Sequence, residues 1–250
     1  MKSLALELLP EYDRYLPTFL LLDHVCAVGL KNYSTSNRLN GLHCASLFGI
    51  VEAVAALIEV QCYDTNRGYY LGHSPLAWAA RNGHEEVVKL LLERKWVNAD
   101  VLNDFGQAPL TYAAAKGNEE AVKVLLQKER VNSDGLDDRS PTPLSCAVRH
   151  GHERLVKILI GQQEVRPDRP DNKGRTPLSY VAKDGNERMV NILLGREEVK
   201  PDKPDNGGRT PLSPATQNGC GVVVKILLTR EEVSPTSQIT GAEHCFRMPL

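Results

Sequence analysis

The sequence predicts an all-α repeat solenoid, an array of about six helix-turn-helix units joined by hairpin finger loops. Three observations predict it. A block of residues recurs at a fixed step of 34. Each block opens with Pro after a small or hydroxyl residue and breaks at Gly. Its apolar residues fall at helical spacing.

Residues 83–92, 117–126, 151–160 and 185–194 read GHEEVVKLLL, GNEEAVKVLL, GHERLVKILI and GNERMVNILL. Upstream of them lie SPLAWAA, APLTYAA, TPLSCAV and TPLSYVA. An earlier unit reads NGLHCAS then GIVEAVAALI, and a later one TPLSPAT then GCGVVVKILL. Leu42, Leu76, Leu110, Leu144, Leu178 and Leu212 keep the step of 34, as do Gly49, Gly83, Gly117, Gly151, Gly185 and Gly219.

A step of 34 also suits tetratricopeptide units, but their Trp, Leu-Gly, Tyr, Ala, Phe and Pro pattern is missing. The T-P-L-x-x-A block followed by G-H/N-x-x-V-V-x-x-L-L resembles the ankyrin repeat. The resemblance covers residues 40–235, and the one extra residue per unit is placed in the loop after the second helix.

The elements can be justified in order. Residues 1–39 match the repeat poorly; a degenerate capping helical repeat is expected there, with the tail of another domain as the alternative. Residues 40–235 form the array. In its fifth unit Thr176 is expected to cap a helix, with Pro177 at the first position, where its fixed φ and missing N–H do no harm. Leu178 and Val181 then share a face. Gly185 ends the helix in the left-handed region. The second helix is expected to turn Met189, Val190, Ile192, Leu193 and Leu194 toward its neighbours, and the columns Val87, Val88, Leu90, Leu91, Leu92 and Leu155, Val156, Ile158, Leu159, Ile160 repeat that stripe. Pro214 and Gly221 are expected to weaken the sixth unit. Residues 236–250 begin a repeat without completing it, and fraying is expected there. The abrupt stop suggests a piece of a longer protein.

Composition narrows the function. Hydrophobic residues make up 42% and the net charge is -1, which does not favour nucleic acid or an anionic membrane as main partner. Six widely spaced cysteines without a C-x-x-C pair are read as reduced thiols. No apolar run is long enough to span a membrane, and the N-terminus is a poor secretory signal. An intracellular protein, cytoplasmic or nuclear, and a monomer, is expected.

Candidate chemistry fares worse than packing. Cys44 and Cys146 share a column with Trp78, Tyr112 and Tyr180, so they are read as core. His84 and His152 fill the G-H slot and His43 opens a first helix; all three are read as structural. His150 and His152 flank a helix end, which spoils ligand geometry. Glu85–Glu86, Glu119–Glu120 and Glu197–Glu198 recur as architecture. There is no phosphate-loop motif. No catalytic residue, cofactor or metal is expected, and the chain is not read as an enzyme.

The resemblance implies a protein-binding scaffold whose partner, another protein, docks on a concave face of fingers and first helices, either as a free-standing adaptor or as the repeat region of a larger multidomain protein. A nucleic-acid-binding module and, further off, an enzyme using the same face are the alternatives. Mapped onto this chain, the finger positions give Tyr69, Tyr70, Leu71, His73, Phe105, Gln107, Arg139, Lys173 and Arg175. The first-helix ends give Arg81, Lys116, Arg149 and Lys183. The register offers Tyr69, Tyr70, Leu71 and Phe105 no core slot, so they are candidate anchors. The later units carry a basic run, which suits a partner with an apolar segment beside an acidic one.

Overall fold

The computed structural model describes residues 40–59, 64–69, 71–128, 131–135 and 141–229. The expected cap over 1–39 and the incomplete repeat over 236–250 lie outside the described residues. Twelve helices form among them: α1 (Gly41–Phe48), α2 (Val51–Ile58), α3 (Pro75–Asn82), α4 (Glu85–Leu92), α5 (Pro109–Lys116), α6 (Glu119–Leu126), α7 (Pro143–Arg149), α8 (Glu153–Ile160), α9 (Pro177–Asp184), α10 (Glu187–Leu194), α11 (Leu212–Gln217) and α12 (Gly221–Leu228). They make six pairs. No strand occurs among the described residues, and one isolated bridge joins Tyr69 to His73.

The chain divides into two compact units, before and after residues 132/133. In the first, α1, α3 and α5 pack in a row, as do α2, α4 and α6. In the second, α7, α9 and α11 form one row and α8, α10 and α12 the other. Each unit is thus a stack in which a helix pair is buried only by its neighbours.

Local chemistry starts and stops the helices as expected. The hydroxyls of Ser74, Thr142 and Thr176 accept from the backbone N–H of Ala77, Ser145 and Ser179 at 3.2, 3.0 and 3.3 Å. Ala108 offers no such cap, yet α5 still begins at Pro109; Pro at the first position and the burial of Leu110 suffice. At Gly49, φ is 72°, and a Cβ would lie 2.4 Å from the His84 ring. Only glycine meets both demands.

The second-helix stripe needs one correction. Val87, Val88, Leu91 and Leu92 are buried, as are Leu155, Val156, Leu159, Ile160 and Met189, Val190, Leu193, Leu194. Leu90, Ile158 and Ile192 are only half-buried. Buried positions therefore run i, i+1, i+4, i+5, and the residue at i+3 turns to the outer edge.

Polar stitches join successive repeats. Asn66 accepts from the N–H of Asn98 at 2.7 Å, Asp100 from Asn132 at 3.1 Å, and Asp134 from Arg166 at 3.1 Å. These acceptors stand at steps of 34, each bonding a backbone group 32 residues on. Fingers are tied as well: Asp104 N–H donates to the Leu71 carbonyl at 3.1 Å, and Asn206 N–H to that of Lys173 at 3.0 Å. At the start of the second helices His84 Nε2 donates to the Leu47 carbonyl at 2.9 Å, and Asn118 Nδ2 to those of Ala80 and Arg81.

The sixth unit is weaker for a visible reason. Elsewhere the residue at this column donates to the capping residue's carbonyl, as Trp78 does to Ser74 and Cys146 to Thr142. Pro214 has no N–H to give. Accordingly α11 is the shortest of the twelve helices at six residues, and the buried Thr210 hydroxyl has no hydrogen-bond partner among the described residues. On α12 only Val223 and Leu227 are buried, while Val222 and Leu228 are exposed.

Candidate interaction face

The fingers rise from two-sided turns that one side chain organises. In the third repeat Asn103 Oδ1 accepts from the N–H of Phe105 and of Gln107 at 2.9 and 2.8 Å, and its amide donates to Tyr112 Oη. Asp171 does the same in the fifth, accepting from Lys173 and Arg175 N–H. Asp205 repeats it with Gly207 and Arg209. The backbone's demand for an acceptor is constant; whether that acceptor carries charge is not.

In the first unit the face is aromatic. His43 is buried on α1, with Nε2 donating to the Arg67 carbonyl at 2.9 Å and its ring edge-on to Tyr69 at 4.7 Å. Burial pushes its pKa down to about 4, so the ring is neutral. Arg67 lies 5.0 Å over the other partner of that contact, the Tyr69 ring. His73 stacks on Trp78 and meets Tyr112, both at 4.8 Å. Arg81 stands over Trp78 at 5.5 Å and Tyr112 at 5.9 Å.

In the second unit the face is ionic. Arg175 grips Asp171 through Nε and Nη2 at 3.0 and 2.7 Å, and Tyr180 Oη donates to the same oxygen at 2.7 Å. Burial raises the Asp171 pKa but is outweighed by the hydrogen bonds from Arg175, Tyr180 and backbone, so the net shift is down. The Tyr180 ring takes Arg149 at 5.1 Å and Arg175 at 4.8 Å. Arg166 and Arg169 converge on Asp134, and Lys203 pairs with Asp168 at 2.9 Å.

The family model for ankyrin repeats (3 copies) matches residues 14–101, 94–171 and 154–239. The chain is an ankyrin-repeat protein. Its fold is therefore an all-helical repeat solenoid of a family whose members generally bind other proteins and are typically not enzymes. No curated protein matches the chain.

The array places the sequence-derived face residues unevenly. Leu71 is 40% and Phe105 59% exposed at the tips of adjacent fingers. Lys116, Arg149, Lys173 and Lys183 are exposed, and Gln107, Arg81, Arg175 and Tyr69 are half-buried. His73 is buried in its aromatic stack, which corrects its assignment to the accessible finger surface. Tyr70 and Arg139 lie outside the described residues. Sequence reasoning assigned Tyr180 and Tyr112 to a packing column; both are half-buried and hydrogen-bonded to the turn residues Asp171 and Asn103. The Asx residue at steps of 34 from Asn103 to Asp205, replaced by Tyr69 in the second repeat, was the available signal.

The remaining candidates for chemistry are absorbed by packing. Burial pushes the Cys146 thiol up to about 11, far from a working nucleophile. Cys220 is a half-buried free thiol. Cys44 is disulfide-bonded, which corrects the expectation that every cysteine is a reduced thiol; Cys26, Cys62 and Cys245 lie outside the described residues. His150 Nδ1 bonds the Cys146 carbonyl at 2.9 Å, and its ring lies 6.1 Å from that of His152. Among the described residues no group of three His, Cys, Asp or Glu could hold a metal ion, and no helix is long and apolar enough to cross a membrane.

Proposed function

We propose that this ankyrin array is a protein-interaction scaffold that receives its partner on the concave finger and first-helix face, with the apolar fingertips of the first unit as anchors. The observation that carries the reading is Leu71. It is an apolar residue, exposed, and held at φ 61°, the single positive φ outside glycine among the described residues. A left-handed conformation costs a residue with a Cβ roughly 1–2 kcal/mol. The neighbouring fingertip is the exposed Phe105, and the Asp104 N–H to Leu71 carbonyl bond couples the two fingers. A rigid, partly strained apolar pair loses little entropy on binding.

The test is capture of partners from cell lysate by the intact chain and by Leu71→Ala/Phe105→Ala, checked as folded by circular dichroism. A partner held by the parent and lost by the variant supports the reading. A partner held equally by both contradicts the placement of the anchors.

A further inference from the structure

Four carboxylates of the second unit lie deeper than a cation paired with them, although Arg169 is as buried as Asp134 and the linker pair Arg196–Glu198 runs the other way. Asp134 is 10% exposed at its side chain and Arg166 67%; Asp205 is 6% exposed and Arg209 61%. Asp171 lies deeper than Arg175, and Asp168 deeper than Lys203. For Asp171 and Asp205 the cause is the turn itself. Each finger Asp gives one oxygen to backbone N–H groups and the other to a guanidinium, so the carboxylate is sunk while the cation stands outward. The formal charges cancel, but the surface they leave on the finger side is cationic.

Two more cations sharpen that surface. Arg149 lies over the Tyr180 ring at 5.1 Å, makes no ion pair with a carboxylate among the described residues, and is exposed. Lys183 holds the same column on the next first helix, α9, which packs directly on α7. Asp184 is the exposed acid at these helix ends.

We infer that the finger and first-helix face of the second unit, through Arg149, Lys173, Arg175, Lys183 and Arg209, binds an extended acidic segment of a partner protein. The inference rests on the reading of the array as a protein-binding module and specifies the chemistry of what this unit takes. Packed helices lie roughly 8–10 Å apart, and a chain extended as polyproline II rises about 3.1 Å per residue with about three residues per turn. A carboxylate at every third residue therefore stays on one side of the chain and meets successive repeats. A guanidinium held over an aromatic ring still has N–H donors to offer the two oxygens of a carboxylate. A long nucleic acid fits less well. The chain's net charge is -1, and Glu153, Glu187, Glu197 and Glu198 on the same unit's second helices and linkers repel a polyanion that extends past the face.

The probe is a labelled synthetic peptide with Glu at every third position, titrated into the intact chain at about 50 mM salt, where surface charges are little screened. The same peptide with Gln for Glu and a single-stranded oligonucleotide serve as comparisons. The Glu peptide is expected to bind, to weaken steeply with added salt, and to bind tighter than both comparisons. Arg149→Gln/Lys183→Gln is expected to weaken it about tenfold. Lys157→Gln/Lys225→Gln, on the second helices, should change it by less than about twofold. Tyr180→Leu should weaken binding several-fold by releasing Arg149, whereas Tyr180→Phe, which keeps the ring, should not. Absence of Glu-peptide binding, equal loss in the second-helix pair, or tighter binding of the oligonucleotide overturns the inference. If the peptide fails while Leu71→Ala/Phe105→Ala still loses a captured partner, this inference falls and the scaffold reading stands. If the peptide binds while that fingertip variant keeps every partner, the fingertip assignment falls.

Discussion

The two units build one repeat by different means. Their cores are interchangeable: Leu91 on α4 and Leu159 on α8 stand in the same column and are fully buried. Their faces are not. The first unit braces its fingers with stacked rings, His43 on Tyr69 and His73 against Trp78 and Tyr112. The second braces them with carboxylates gripped by arginine, Asp171 with Arg175 and Asp205 with Arg209. The backbone turn asks only for an acceptor, and Asn103, Asp171 and Asp205 all supply it. What the repeat leaves open is the sign and polarity of the surface above the turn, and that surface is the proposed partner face. Conserving the scaffold while varying what covers it is how one fold serves different recognition.

The largest effects should ignore the comparison. Leu91→Ala and Leu159→Ala should each cost roughly 2–5 kcal/mol in chemical unfolding, since each opens a cavity between stacked pairs. A loss in one unit and none in the other would show that the cores are not equivalent after all.

Next comes pH, which should separate the units. The His43 pKa is lowered by burial from 6.5 to about 4. A group with a depressed folded pKa contributes stability that is present above its unfolded pKa and is lost as pH falls through the window between the two values. Between pH 7 and pH 5 the chain should lose about 2 kcal/mol from this site. In His43→Gln that acid-induced loss should vanish. Asp171 and Asp205 of the second unit add no loss in this window, because their shifts are downward from 3.8, and Asp168, raised by burial, is relieved rather than penalised as pH falls.

A smaller effect tests the turn. Asp171→Asn should cost about 1 kcal/mol, because the backbone N–H acceptor survives and the charged bonds to Arg175 are weakened. Its cost should shrink further in high salt. The smallest expected effect is Leu71→Gly, which relieves the left-handed strain and should leave stability unchanged or raise it by up to about 1 kcal/mol.

Much of this was legible in sequence because it is local. Thr176 before Pro177 and Gly185 after the helix name their own roles within ten residues. The half-exposure of Ile192 was missed because a stripe of consecutive apolar residues does not say where the neighbouring helix stops. The stitch from Asp134 to Arg166 and the depth of Asp205 beneath Arg209 were missed for a different reason. Both depend on which atoms meet after stacking, and sequence spacing alone gives no depth. Leu71 and Phe105, residues without a core slot in the repeat register, are exposed, but His73, beside them in sequence, is turned inward by Trp78 and Tyr112.

The most direct test of the central claim is the affinity of one captured partner for three forms of the intact chain: the parent, Leu71→Ala/Phe105→Ala, and Lys157→Ala/Asn191→Ala on the second helices. The account predicts a loss of at least about tenfold in the fingertip variant, unchanged unfolding, and parental affinity in the second-helix variant. Parental affinity in the fingertip variant, or an equal loss in both, would contradict it.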